Sequence, residues 1–174
     1  MSFMFTKTSF LLAIFFTCNY TAKAQMLAME ENKPAAENGI EYGYHIKNEQ
    51  VKTSKGEEYS RFEITLYISN KSGCTKLYAN HSSYLSSETA SLLATFNCIN
   101  ANGKRFTSKS SAIKARDFYV SAKHTADGKE ITEQVKAGYI FHSGETINNN
   151  IIVLVPKGDR PLLQAIINNL PELQ

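Results

Sequence analysis

The chain has 174 residues and a formal net charge of +3 at pH 7. Lys7 and Lys23 lie in a predicted leader without acidic residues, and without them 17 basic residues face 16 acidic ones, a net charge of +1. So small a charge gives no general attraction to nucleic acid or to an anionic membrane, and we expect no nucleic-acid partner. The 150 residues after the leader suit one domain that is large enough to bury a core.

Residues 1–24 have the pattern of a secretory signal peptide. Lys7 precedes the apolar run FLLAIFF, and Ala22-Lys23-Ala24 is an A-x-A cleavage site. The run is too short to span a membrane, which takes about 20 apolar residues, and no second long run follows. We therefore expect an exported protein, periplasmic or extracellular, without a membrane span. The alternative is a lipid anchor at Cys18, which the bulky residues before it disfavour.

The stretch from Glu58 to Cys74, EYSRFEITLYISNKSGC, organises the predicted fold. Ser60, Phe62, Ile64, Leu66 and Ile68 alternate with more polar residues, which is the period of a half-buried strand. The run ends on Asn70-Lys71-Ser72-Gly73, which favours a turn. We interpret it as the central strand of an antiparallel sandwich.

Further short strands are predicted on both sides of it. Residues 25–38 are polar and lack a period, so we expect a flexible leader there and a β-sandwich domain over residues 39–174. Alternating or apolar runs predict strands at residues 40–46, 76–78, 90–99, 113–120, 138–141 and 151–155. Asn102-Gly103 predicts a hairpin that returns over residues 104–108, and Asp127-Gly128 predicts a turn. Residues 130–136 suit a strand or one helical turn.

The segment from Leu162 to Leu170 fits two structures. Leu163, Ile166, Ile167 and Leu170 have helical spacing, whereas Pro161 and the paired isoleucines suit a final strand, which we favour. Seven to nine short strands at this spacing indicate an all-β, immunoglobulin-like antiparallel β-sandwich.

Two cysteines follow the leader, Cys74 and Cys98. In an oxidising compartment such a pair predicts a disulfide, and two separate buried thiols are the alternative. A metal site has too few ligands, since the cysteines lack CxxC spacing and the histidines (His45, His81, His124 and His142) lack HxH or HExxH spacing. We therefore expect no metal and no cofactor.

Three segments carry a resemblance to a known group of proteins. YSRFEITLYISNKSGC, ATFNCINANG and IIVLVPKGDRP resemble small exported immunoglobulin-like proteins of Gram-negative bacteria, some of which are labelled transporter permeases. The resemblance covers most of residues 40–165 and implies a fold and an exported location. It carries no functional residue across, and the missing membrane spans argue against a permease.

One charged stretch is a candidate ligand site. Between residues 104 and 129, seven basic residues face only Asp117 and Asp127. This predicts a patch for an anionic glycan or an acidic partner, formed by Lys104, Arg105, Lys109, Lys114 and Arg116. The alternative is a solvated edge whose lysines discourage strand-to-strand aggregation.

No catalytic residue is predicted. The serines lack G-x-S-x-G and S-x-x-K motifs, and adjacent carboxylates such as Glu57 and Glu58 face opposite sides of a strand. We expect a non-enzymatic binding or accessory module of the bacterial envelope, with an envelope protein or an anionic glycan as its partner. The alternative is a hydrolase-type enzyme whose site is assembled only in three dimensions.

Overall fold

The computed structural model describes residues 25–54, 56–79, 91–100, 103, 106, 111–170 and 172. The predicted signal peptide and Cys18 lie outside these residues. Within them the chain forms eleven strands and no helix. The strands are β1 (Gln25–Met29), β2 (Ala35–Glu37), β3 (Ile40–Ser54), β4 (Glu57–Asn70), β5 (Lys76–Ala79), β6 (Leu92–Ile99), β7 (Ala112–Lys114), β8 (Arg116–Ala126), β9 (Lys129–Phe141), β10 (Thr146–Pro156) and β11 (Leu162–Ile167).

The strands form three antiparallel sheets. Their orders are β1-β11-β6-β7, β10-β4-β3-β2 and β5-β9-β8. The buried apolar residues of all three sheets belong to one core cluster. The all-β, sandwich-like class predicted from the sequence is therefore confirmed. The described residues include no helix with the length and apolar content that crossing a bilayer requires.

Strand β4 is central, as predicted. It pairs with β3 on one side and with β10 on the other, so that Ile64 lies opposite both Ile46 and Ile151. The residues that alternate toward the core are buried, and Leu66 has no exposed surface. The period of 2 in the sequence therefore corresponds to one core-facing side of this strand.

The facing sheet buries the alternate residues of β6 and β11. Phe96 and Cys98 of β6 and Leu163 and Ala165 of β11 are at most 1% exposed. Strand β11 pairs with β6 throughout its length, which confirms the strand that we favoured over a helix in this segment. The buried residues Leu163, Ala165 and Ile167 follow the period of 2 of a strand, and Ile166, which a helix would bury beside Leu163, is only half-buried.

We predicted a flexible leader over residues 25–38, but residues 25–29 and 35–37 form strands. Strand β1 pairs with β11, where Leu27 lies opposite Ala165, and β2 pairs with β3, where Ala35 lies opposite Tyr42. Met29 is 5% exposed and belongs to the core. The domain therefore includes the segment from Gln25 onward, which the polar composition alone did not indicate.

Two other strand boundaries in the structure differ from those predicted from the sequence. The single strand expected at residues 113–120 is divided at Ala115 into β7 and β8, which belong to different sheets. The segments 130–136 and 138–141 are parts of one strand, β9. The Gly103 N–H donates to the Asn100 carbonyl at 2.9 Å, and residues 101 and 102 lie outside the described part of the chain. Of the predicted return strand 104–108, only Phe106 is described.

The register of β4 can be tested at two adjacent positions. Replacing Leu66 by Ala should lower the free energy of unfolding by about 2–5 kcal/mol, because it leaves a cavity in the core. Thr65 is also buried, and its Oγ1 donates to Asn150 Oδ1 at 2.6 Å, so Thr65→Ala should cost about 1 kcal/mol. Urea unfolding measures both variants, and equal losses at the two positions would contradict the register.

Candidate functional site

The hairpin of β8 and β9 extends beyond the core. Its turn has positive φ at Asp127 (52°) and Gly128 (75°), as a two-residue hairpin turn requires, and Ala126 lies opposite Lys129. A bulge between Phe118 and Tyr119 interrupts the ladder near its base. Beyond that bulge both strands are exposed on both faces, apart from half-buried Ala122, Ala126 and Lys136. We call residues 119–136 the arm.

One face of the arm is polar, and polar side chains on this face contact one another across the two strands. Three contacts join β8 with β9: Gln134 with Ser121 at 2.7 Å, Lys123 with Glu130 at 3.1 Å, and Lys136 with Asp117 at 2.7 Å. The Lys136 ammonium also lies 4.3 Å from the ring centre of Tyr139. The charges on this face are therefore balanced within the hairpin.

The opposite face of the arm is apolar and uncovered. Val120 lies opposite Val135, and Ile131 lies opposite His124. Val120, Val135 and Ile131 are 41%, 40% and 41% exposed. Glu133 interrupts this face between Val135 and Ile131, and His124 Nδ1 is 3.9 Å from its carboxylate oxygen. The arm is therefore an amphipathic ribbon whose largely apolar side is exposed and is not covered by a layer of the described residues.

A cleft of about 410 Å³ lies at one end of the fold. Its walls come from β2 and β3, from β5, and from the segment after β11. Its lining residues are Glu37, Asn38, Ile40, Tyr42, Lys76, Tyr78, Ile167, Asn168, Asn169, Leu170 and Glu172. The end of the chain crosses β5 here, since Glu172 forms a bridge with Tyr78 and an ion pair with Lys76 at 2.7 Å.

The two tyrosines of the cleft are hydrogen-bond donors and acceptors rather than bases. Burial is the largest cause that raises the pKa of Tyr78, to about 12, and it also raises the pKa of Tyr42. Both phenols therefore stay protonated at neutral pH. The buried Nδ2 of Asn168 has no hydrogen-bond partner among the described residues. Together with the carboxylates and Lys76, these phenol and amide groups suit a small hydroxylated ligand.

Asn70 has a structural role that the sequence did not reveal. Its Nδ2 donates to the carbonyls of Cys74 (2.8 Å) and Phe141 (3.0 Å), and its Oδ1 accepts from the N–H and the Oγ of Ser72. The side chain is fully buried, and all four hydrogen-bonding positions of the amide are used. Asn70-Lys71-Ser72 matches the N-glycosylation sequon, but its asparagine side chain is inaccessible in the folded chain.

The structure describes two of the five residues predicted for the anionic-ligand patch. Lys114 is exposed on β7, whereas Arg116 forms an ion pair with Glu145 at 2.6 Å. Because Glu145 offsets its charge, Arg116 does not add a free cation to the patch. Lys104, Arg105 and Lys109 lie outside the described residues, so the patch as a whole stays a prediction.

The histidines do not meet in one site within the described residues. His45 lies on the outer face of the β3-β4 pair with its ring centre 6.5 Å from that of Tyr67, His124 lies on the arm, and His142 is exposed in the turn before β10. His81 lies outside this part of the chain. Among the residues that the structure describes, no group of three or more His, Cys, Asp or Glu could hold a metal ion.

The predicted disulfide is absent from the structure. Cys74 is exposed in the turn after β4, whereas Cys98 is buried in β6, and both are free. Their environments explain this, because the Cys98 side chain belongs to the core cluster and Cys74 lies at the surface. Burial raises the pKa of the Cys98 thiol to about 12. The structure thus has two separate thiols, of which one is buried.

Comparison of the chain with known protein families, with curated proteins and with solved structures finds no match.

The two thiols should differ in reactivity. The thiolate is the reactive form, and Cys98 is both buried and protonated, so a disulfide-exchange reagent at mildly alkaline pH should modify Cys74 in the native protein and leave Cys98 unmodified. Cys98 should react only after denaturation, and peptide mass spectrometry locates each label. A peptide pair linked through Cys74 and Cys98 in the oxidised protein would show that the sequence-based disulfide was right.

Proposed function

We propose that the protein is an exported, non-catalytic binding module of the bacterial envelope, with an immunoglobulin-like β-sandwich, and that it binds a protein partner through the arm. The observation that carries the proposal is the uncovered apolar face formed by Val120, Ile131 and Val135. The leader pattern of residues 1–24 supports export, and the resemblance of the strand motifs supports the envelope location.

The low stability of an isolated two-stranded ribbon supports a role for the arm in binding. An isolated hairpin without a third strand or a packed layer is only marginally stable in water. The cross-strand contacts of the polar face hold the arm together, but they do not cover its apolar side. A partner that covered Val120, Ile131 and Val135 would gain on the order of 1 kcal/mol from each, since they are already about half buried.

The chemistry of the arm favours a protein over an anionic glycan. A glycan carrying negative charge needs several unpaired cations, but two of the three lysines of the arm, Lys123 and Lys136, are paired within the hairpin, and Lys129 alone remains. Its apolar face instead matches an apolar protein surface. Strand β8 is also an edge of its sheet, and an edge strand accepts an extended segment through backbone hydrogen bonds. Both modes of contact therefore favour a protein as the partner.

Two adjacent residues on opposite faces of the arm make a matched test. Ile131→Glu places a charge on the apolar face, whereas Thr132→Glu places the same charge on the polar face opposite Lys123. The tagged wild type and Thr132→Glu should retain the same envelope protein at low and moderate salt, and Ile131→Glu should lose it at least tenfold. Quantitative mass spectrometry measures retention, and circular dichroism confirms that all three fold.

Two results would contradict the proposal. One is equal retention of the same protein by Ile131→Glu, since the apolar face would then be dispensable. The other is recovery of only glycan or lipid that is lost as salt rises, since this would favour the basic residues near β7 as the binding surface.

A further inference from the structure

Strand β10 is an edge strand that lacks the charges that usually discourage an edge from pairing with another strand. It forms one edge of the sheet β10-β4-β3-β2, and its eleven residues, TINNNIIVLVP, include no charge. Natural proteins protect edges by making them short or by placing charges on them. The other sheet edges in the described part of the chain follow this rule. β1, β2, β5 and β7 have three to five residues, and β8 carries Arg116, Asp117 and Lys123.

The second half of β10 also presents apolar side chains to solvent. Ile152 and Leu154 are 47% and 53% exposed on the outer face, while Val153 and Val155 on the inner face are fully buried. The nearest charges on β4, Arg61 and Glu63, lie opposite Leu154 and Ile152 and pair with each other at 2.5 Å. The outer surface along this edge is therefore apolar and electrically balanced.

The first half of β10 lies against the facing sheet. The Asn149 side chain donates to the Ala112 carbonyl at 3.1 Å, which joins β10 to β7 at that end. From residue 150 to residue 156 the ladder to β4 continues. Beyond that ladder, the backbone from Asn150 to Val155 makes no hydrogen bond with any other described residue, whereas the Pro156 carbonyl accepts from the Asp159 N–H at 3.1 Å. The six residues from Asn150 to Val155 are thus available for pairing.

We propose that a second copy of this chain pairs with this edge, antiparallel to β10, so that one sheet continues through a two-fold dimer. An interface between two identical surfaces requires a surface that is complementary to itself. Centred on Val153, β10 meets this requirement. Ile152 then lies opposite Leu154 of the second copy, and Ile151 lies opposite Val155 of the second copy. No charged residue of either strand meets a like charge.

This register is the one that uses the exposed aliphatic residues best. Side chains opposite each other in an antiparallel pair lie on the same face. With Val153 at the centre, the two Ile152 and two Leu154 side chains form one patch on the outer face. The register also stops at residue 150, before Asn149 and its contact with β7. A strand pair with one layer of side chains is a small interface, so the dimer should dissociate on dilution.

The test is the mass of the full chain in solution as a function of concentration. Sedimentation velocity should show the 19.4 kDa monomer at low concentration and twice that mass at high micromolar concentration. Ile152→Lys places two lysines beside the apolar patch and should weaken the dimer at least tenfold. Asn148→Lys changes an exposed residue of the same strand outside the paired segment, and should leave the dimer unchanged.

Three outcomes would overturn the proposal: a monomer at every concentration, a dimer that survives Ile152→Lys, and a dimer that Asn148→Lys abolishes equally. Circular dichroism and thermal unfolding confirm that both variants fold. Ile131→Glu on the arm should keep the dimer, because the arm and the β10 edge are separate surfaces. Loss of the dimer in this variant would assign self-association to the arm instead.

Discussion

The pairing of β4 on both sides is the constraint on which the rest of the structure depends. Strand β4 has fourteen residues, of which the eleven from Tyr59 to Ser69 pair with both β3 and β10, and every second side chain is in the core. A shift of one residue in either ladder would turn Phe62, Ile64 and Leu66 to solvent and bury Arg61 and Glu63. The burial of this face therefore fixes the register of both neighbouring strands. The sheet formed by β1, β11, β6 and β7 covers the same face.

Asn70 connects this sheet to the β5-β9-β8 sheet. It is the last residue of β4, and in the turn before β10 its backbone N–H donates to the Glu145 carbonyl and its carbonyl accepts from the Gly144 N–H. Its side chain also donates to the carbonyl of Phe141, the last residue of β9. Tyr139 and Phe141 are buried beside it. The base of the hairpin is thus fixed to the core, while the arm extends away from it.

The sequence predicted best those elements whose signal is local. The alternation in β4, the apolar run in β10 and the Asp127-Gly128 turn each depend on neighbouring residues, and all three are present. The prediction of a flexible leader was wrong because nothing local in the sequence distinguishes QMLAM from a polar linker. Its strand exists because β11, at the other end of the chain, offers an edge with which it pairs. Such long-range pairing leaves no periodic signal in so short a strand.

The candidate sites were harder to predict than the fold. Tyr42 and Tyr78 belong to strands far apart in sequence, and only the tertiary structure places both in one cleft. The disulfide prediction failed because cysteine spacing does not show which way a side chain points. In the sequence, Asn70 was visible only as the first residue of a turn-forming cluster. The apolar face of the arm was present as Val120 and Ala122 in one strand and Ile131 and Val135 in the other, but such a pattern does not reveal whether a layer covers that face.

The described residues form a closed body organised by β4 and an arm whose apolar side chains are exposed to solvent. Hydrogen–deuterium exchange of the unbound protein, resolved by residue, tests this division most directly. Amides of β4 from Phe62 to Ile68 should exchange slowest, at rates set by global unfolding, and amides from Val120 to Val135 should exchange orders of magnitude faster by local opening. Protection of the arm equal to that of β4 would contradict the account, because the arm would then belong to the closed body.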